Sequence, residues 1–385
     1  MRIAYCTESL PPLVDGVTRT LTELVATLRE TGHEFVFLSS VKPDAGLAWR
    51  DRVHTVPSLP LLVYPYYRLG LPVARTLDPV LDRFAPDVMH VVTPSLLGWY
   101  GVKYAQRRGI PVVASFHTDF VSLFGYYGLR SLERLGRHVV RRFYSQCAVT
   151  LAPSQSQVAK LHAHGIANVA LWQRGVNPAT FSPAFRSSAL REGLGAADIP
   201  ILLYVGRLGR EKNLLYLIEA MQLLERKSQP FKLVIVGHGQ MQRALAARLP
   251  NAHFAGAVEG KELSRWYASA DAFVFPSTAE TFGNVVLEAF ASGLPVVGVD
   301  AGAVRELVKP NWNGLLAPAD SPAAFADKVH SLLQRPAELA RLGFGARVTA
   351  AQYRWPDVNR QLLGQYERLV AGDGRRPERA LAVAV

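Results

Sequence analysis

A chain of 385 residues with 49% hydrophobic content is long enough for two domains, each with its own core. Its 43 lysines and arginines against 31 aspartates and glutamates leave a net charge of +12, yet the basic residues are dispersed over both halves and no nucleic-acid-binding module is visible, so nucleic acid is not an expected partner. The two cysteines, Cys6 and Cys147, lie far apart inside apolar runs, which excludes a disulfide framework and fits a reducing, cytoplasmic compartment; no run of about 18 apolar residues marks a membrane span, and the apolar start at 3–6 is too short for a secretory signal.

Residues 3–6 read as a first strand. Pro11, Pro12, Asp15 and Gly16 make the loop after it, and Val17, Leu21, Leu24, Val25 and Leu28 keep helical spacing up to Gly32. Strand, glycine loop and helix is how nucleotide-binding folds open. Further strands are expected at 35–38, 88–92, 112–116 and 148–151, alternating with helices around 97–107 and 154–164, and that alternation argues for a parallel sheet covered on both faces. His117 ends the strand at 112–116. Its imidazole should emerge at the crevice edge of the domain.

Between Trp172 and Pro200 the chain is punctuated by Gly175, Asn177-Pro178, Ser182-Pro183, Gly193 and Gly195 without a long apolar period, and reads as an interdomain linker. The pattern then restarts: strand 201–205, Gly206-Arg207 and a helix from Asn213; strand 233–236, Gly237-His238-Gly239 and a helix; strand 272–275, a loop at Glu280 and a helix ended by Gly293-Leu294-Pro295; and strand 296–299. A second wound α/β domain is expected. The last helix, about 357–371, is amphipathic through Val358, Leu362, Tyr366 and Leu369 and is expected to return to the first domain, giving domains of 1–175 and 176–356 and a loose tail at 372–385.

Three features of the second domain carry chemistry. Arg207 and Lys212 stand where a strand opens into a helix, offering a planar fork and a point charge to phosphate oxygens, although two cations on a solvated loop would look the same. Residues 254–258, ending at Val258, suggest a backbone ledge for a flat base. Glu280 lies beyond the carboxyl end of strand 272–275, and Thr281, Phe282 and Gly283 are expected to form the first turn of the next helix, with unpaired N–H groups for an anion or hydroxyls. Glu288 follows about two turns later, at ~3.6 residues per turn, and can reach another part of one elongated ligand. Carboxylates beside free amides and cations suggest a polyol carrying phosphate. No Asp-x-Asp motif, GxxxxGK[ST] loop or CxxC pair is present, so no metal site is expected and Arg207, Lys212 and backbone amides would stabilise leaving-group charge.

The order Asp15-Gly16-Val17, His117, Gly206-Arg207 with Lys212, and Glu280 with seven residues before Glu288 resembles the retaining GT-B glycosyltransferases of family 4 across nearly the whole chain. The resemblance implies an α/β fold of two Rossmann-like, doubly wound parallel-sheet domains facing each other across a cleft, the first binding acceptor and the second donor. It implies metal-independent, cofactor-free transfer of a hexose, with retention, from a nucleotide-diphosphate sugar of the GDP-mannose or UDP-glucose type to a hydroxyl of a lipid or glycan acceptor. By the same carry-over Arg207 and Lys212 bind the donor diphosphate, with Gly16 approaching from the opposite domain. Glu288 holds the ribose, Glu280 and the amides of Thr281, Phe282 and Gly283 hold the transferred sugar, and His117 lies near the reacting carbon. Asp15 departs from the Gly-Gly of many members and is shared with a subgroup that includes mannosyl- and sulfoquinovosyl-transferases building membrane glycolipids. Nucleotide-sugar 2-epimerases of similar fold are the neighbouring reading.

Arg130, Arg134, Arg137 and Arg141 recur at helical spacing, with Leu132, Leu135, Val139 and Phe143 offset from them, after an aromatic stretch at 120–127. With a second apolar stretch at 59–71, this suggests peripheral contact with an anionic membrane through 120–143 and 59–71. A core-packed helix with a solvated arginine stripe is the alternative.

Overall fold

The computed structural model describes residues 1–61, 64–119, 133–227 and 229–372. The chain divides into two compact units: Met1–Gln173 together with the segment beginning at Trp355, and Arg174–Arg354.

The first unit is built on strands β1 (Arg2–Thr7), β2 (Glu34–Ser39), β3 (Val53–Thr55), β6 (Val88–Val91), β7 (Val112–Ser115), β8 (Val149–Ala152) and β9 (Val169–Leu171), with an antiparallel pair, β4 (Ser58–Leu61) and β5 (Tyr64–Gly70), lying in the chain between β3 and β6. The seven-stranded sheet runs β3-β2-β1-β6-β7-β8-β9 and is parallel throughout. Alternate residues of β1 serve two cores: Ile3 and Tyr5 join Phe35, Phe37 and Trp172 on one face, whereas Ala4 and Cys6 join Met89, Val91 and Tyr104 on the other. Cys6 and Cys147 are both free and buried.

Asp15 caps the helix Gly16–Glu30, its carboxylate accepting from the Thr18 amide at 2.7 Å. This explains the acid at that position. The C-terminal helix Trp355–Val370 packs on Gly16–Glu30, with Trp355, Val358, Leu362 and Tyr366 in the core. Polar contacts pin it: the Asn359 amide donates to Thr27 Oγ1 at 2.9 Å and to the Glu23 carbonyl at 3.1 Å, and the Tyr366 hydroxyl meets His90 Nδ1 at 2.5 Å.

In the second unit β10 (Ile201–Val205), β11 (Lys232–Val236), β12 (His253–Gly256), β13 (Ala272–Phe275), β14 (Val296–Val299) and β15 (Gly314–Ala317) form a parallel sheet in the order β12-β11-β10-β13-β14-β15. Numbered within the unit this is 3-2-1-4-5-6, the doubly wound order, whose switch point falls between β10 and β13. The loops leaving these two strands hold Arg207 and Lys212 on one side and Glu280 on the other.

Residues 182–200 depart from the linker expected of them. They pack against the second unit: Arg191, 8% exposed, pairs with Asp271 at 2.8 Å and donates to the Ser269 and Ile199 carbonyls, and Arg186 reaches Asp271 at 2.9 Å. Pro and Gly spacing marks the segment as irregular but carries no sign of the two arginines that anchor it.

Candidate active site

The loop after β10 is laced to the loop after β11. The Leu208 amide donates to the His238 carbonyl at 2.9 Å, and the Met241 amide returns to the Leu208 carbonyl at 2.9 Å. Gly237 is required for this approach, because at φ +134° a Cβ there would stand 2.0 Å from the Gly206 carbonyl oxygen. The chain then makes a 3-10 turn, Arg210–Lys212, and Asn213, in the left-handed region, starts the helix Leu214–Glu225. Its side-chain amide donates to the Pro276 carbonyl at 3.2 Å, tying the loop after β10 to the loop after β13.

That tie brings Lys212 to Glu280. Lys212 Nζ donates to Glu280 Oε1 at 2.5 Å, and the Ser277 hydroxyl donates to the same oxygen at 2.7 Å. Both charged side chains are mostly buried, 17% and 13% exposed. Burial pushes the Glu280 carboxyl up, but the Lys212 charge and hydrogen bond, the Ser277 hydroxyl and the Arg207 charge outweigh it and hold the group below the usual carboxylate range. Glu280 is thus an anion kept in place by a cation, with lone pairs remaining for hydroxyl donors.

Arg207 is more open. Its side chain is 53% exposed and its guanidinium pairs with the buried Glu211 at 2.7 Å. Beneath the loop the Tyr204 hydroxyl donates to the Arg207 carbonyl at 3.1 Å. Burial raises the Tyr204 phenol well above its ordinary range, and the Glu280 and Glu211 charges push the same way. Tyr204, Glu211 and Ser277 join the site without having been expected there. Glu211, four residues after Arg207, was open to the i,i+4 pairing rule; Tyr204 and Ser277 give no signal beyond being polar atoms at the ends of apolar runs.

The expectation that Thr281, Phe282 and Gly283 begin the helix after Glu280 is corrected. The helix is Asn284–Ala291, and Gly283, at φ +101°, is the turn residue before it. Phe282 is 4% exposed and its ring meets Tyr353 edge-on at 6.1 Å, so its side chain belongs to the core and only its backbone is available to a ligand. Glu288 is 3% exposed and accepts from the Tyr267 hydroxyl at 2.9 Å. Val258, past the end of β12, is half-buried against the unit's core.

Gly16 and His117 belong to the first unit. Gly16 opens the helix after β1 and is exposed, and His117 follows β7 with its ring edge-on to Trp172 at 6.0 Å. Among the described residues there is no group of three or more His, Cys, Asp and Glu side chains placed to hold a metal ion.

Of the basic helix, Glu133–Tyr144 is described, whereas Arg130, Leu132 and residues 120–127 lie outside the described residues, as do 62–63 of the second apolar stretch. The expected apolar side divides: Phe143 is fully buried, but Leu135 and Val139 are 62% and 42% exposed beside Arg134, Arg137 and Arg141. Among the described residues no helix is long and apolar enough to cross a membrane.

Comparison with known proteins agrees with this architecture. Residues 14–180 match the family described as Glycosyltransferase Family 4, and residues 199–335 match Glycosyl transferases group 1. A GDP-mannose-dependent alpha-mannosyltransferase of Mycolicibacterium smegmatis is 38% identical over 99% of this chain and 100% of its own length. The sulfoquinovosyl transferase SQD2 of Arabidopsis thaliana is 30% identical over 92% of this chain and 71% of its own. Among solved structures, a sucrose-phosphate synthase from Thermosynechococcus elongatus shares the fold with a TM-score of 0.80 at 21% identity, over 96% of this chain and 99% of that one. With two wound parallel sheets of the GT-B type, the chain belongs to glycosyltransferase family 4 and is a hexosyltransferase.

Proposed function

We propose that this enzyme transfers mannose from GDP-mannose to a hydroxyl of a membrane lipid or glycolipid, with retention of anomeric configuration and without a metal ion. The observation that carries the donor assignment is the end-to-end similarity to a GDP-mannose-dependent mannosyltransferase at 38% identity. The acceptor assignment rests on the further similarity to a sulfoquinovosyl transferase, and on the exposed Leu135 and Val139 among arginines, a surface suited to anionic headgroups.

In this reading Lys212 and Arg207 neutralise the donor diphosphate as it leaves. Lys212 has three N–H donors and spends one on Glu280, leaving two for phosphate oxygens. Glu280, held ionised, accepts from hydroxyls of the transferred sugar, and the backbone at Thr281, Phe282 and Gly283 supports the same sugar. Glu288, fixed by Tyr267, accepts from the ribose, and the backbone beside Val258 supports the base. By the family resemblance, Gly16 is the first unit's candidate donor-binding residue and His117 its candidate catalytic residue. The protein works on the cytoplasmic side of the membrane as a peripheral enzyme.

The test is a thermal-shift panel of GDP, UDP, GDP-mannose and UDP-glucose, followed by transfer assays with membrane lipid extract and NMR of the product. GDP-mannose should raise the melting temperature most, the product should be the α-mannoside, and turnover should survive EDTA. Preference for UDP-glucose, an inverted product or loss of activity in EDTA would each remove the corresponding part of the reading.

A further inference from the structure

One buried carboxylate in the loop after β10 has no part in the proposed transfer. Glu211 lies in the 3-10 turn Arg210–Lys212, between the two cations of the site. Its side chain is 5% exposed, and its Oε1 meets the Arg207 guanidinium at 2.7 Å. The space it occupies exists because residue 209 has no side chain: a Cβ there would lie 2.3 Å from Oε2 and 2.6 Å from Oε1. A carboxylate folded under a loop in this way depends on its cation, since a buried charge without a partner is strongly unfavourable. Arg207 is therefore held by Tyr204 at its carbonyl and by Glu211 at its guanidinium, while its side chain is 53% exposed.

We infer that Glu211 is a positioning residue for donor binding: it ties one edge of the Arg207 guanidinium to the protein so that the remaining donors are presented, already oriented, to the diphosphate. The inference rests on the proposed donor site. Two effects compete. The Glu211 charge offsets part of the attraction of Arg207 for phosphate, whereas the fixed geometry spares Arg207 the rotamer freedom it would otherwise lose on binding. The guanidinium fork has five N–H donors, enough to serve a carboxylate and a phosphate together. Orientation prevails if Glu211 strengthens diphosphate binding despite its sign.

Calorimetry of GDP, GMP, UDP and UMP with the full-length protein and its Glu211→Ala, Glu211→Gln, Arg207→Ala and Glu211→Ala/Arg207→Ala variants decides this. Glu211→Ala should weaken GDP about tenfold while changing GMP by no more than about twofold, and the double variant should bind no more weakly than Arg207→Ala alone. Glu211→Gln, which keeps an acceptor for the guanidinium, should recover part of the loss, and the donor KM should rise with kcat little changed. Tighter GDP binding by Glu211→Ala would make Glu211 a brake on charge and overturn the proposal. Additive losses in the double variant, or equal weakening of GDP and GMP with a lowered melting temperature, would overturn it in favour of a structural role. If the wild type binds UDP rather than GDP, only the donor reading falls and the cycle is read on UDP against UMP. If it binds neither, both fall.

Discussion

Lys212 and Glu280, 68 residues apart in the chain, meet at 2.5 Å because the loops bearing them leave β10 and β13, the strands that flank the switch point of the sheet. In the proposed reading the pair joins the phosphate side of the site to its sugar side, so changes in one should appear in the other. Lys212→Ala leaves a mostly buried carboxylate without its cation and, on the proposed donor site, removes a hydrogen-bond donor to phosphate. Donor affinity and turnover should both fall, with kcat/KM down by about a hundredfold or more, the scale of losing one preorganised charge contact. Glu280→Gln keeps the shape and the Ser277 contact but loses the anion; it should reduce turnover comparably while leaving GDP affinity nearly intact. Steady-state kinetics and nucleotide titration of the two variants separate these outcomes.

The same pair sets a pH dependence. The Glu280 carboxyl has an ordinary value of 4.5 and lies below it in the fold. As pH falls, the unfolded chain takes up this proton first, so the stability contributed by the pair is complete above about 4.5 and is lost as pH falls through the lower folded value. Urea denaturation of wild type and Glu280→Gln between neutral pH and pH 3 should give stability curves that converge in that acid range. Convergence above 4.5 would contradict the assigned direction.

Gly237 is a backbone requirement of the site. An alanine there combines φ +134° with a Cβ at 2.0 Å from the Gly206 carbonyl, and Gly237→Ala should cost at least about 2 kcal/mol and move the loop that carries Arg207. Gly193 is the control, since a Cβ added there would meet nothing within 4 Å and its φ is not positive. Gly193→Ala should be neutral or slightly stabilising by the urea midpoint.

Much of this arrangement is legible in the sequence, and what is not has physical reasons. The strands at Ile201–Val205, Ala272–Phe275 and Val296–Val299 are buried on both faces and therefore read as unbroken apolar runs. β3 leaves no such trace because it is a three-residue edge strand with little buried surface, and β15 because it opens on Gly314. The pair β4 and β5 contains Pro60 and Pro65, residues that demote a strand assignment, although the antiparallel pairing tolerates them. In the site, Arg207, Lys212 and Glu280 stand out as charges after apolar runs. Glu288 has the same composition signal as a solvated helix residue, and only the fold turns it inward to Tyr267.

The segment 182–200 offers the sharpest check on what spacing could not reveal. Asp271 accepts from Arg186, from Arg191 and from the Ile201 amide at 2.8 Å, so one carboxylate holds the entering chain to the edge of β10. Arg191 is nearly enclosed, its side chain 10% exposed, so bulk solvent cannot replace a lost partner. Asp271→Asn keeps the acceptor for Ile201 but leaves the buried guanidinium uncompensated, and removing one partner of such a pair costs about 3–5 kcal/mol. Asp271→Asn should therefore lower the urea midpoint strongly and expose residues 182–200 to proteolysis, while Arg186→Ala, which removes the more exposed partner, should cost less than about 1 kcal/mol. Equal losses in the two variants would mean that the segment is held by its apolar contacts and not by this carboxylate.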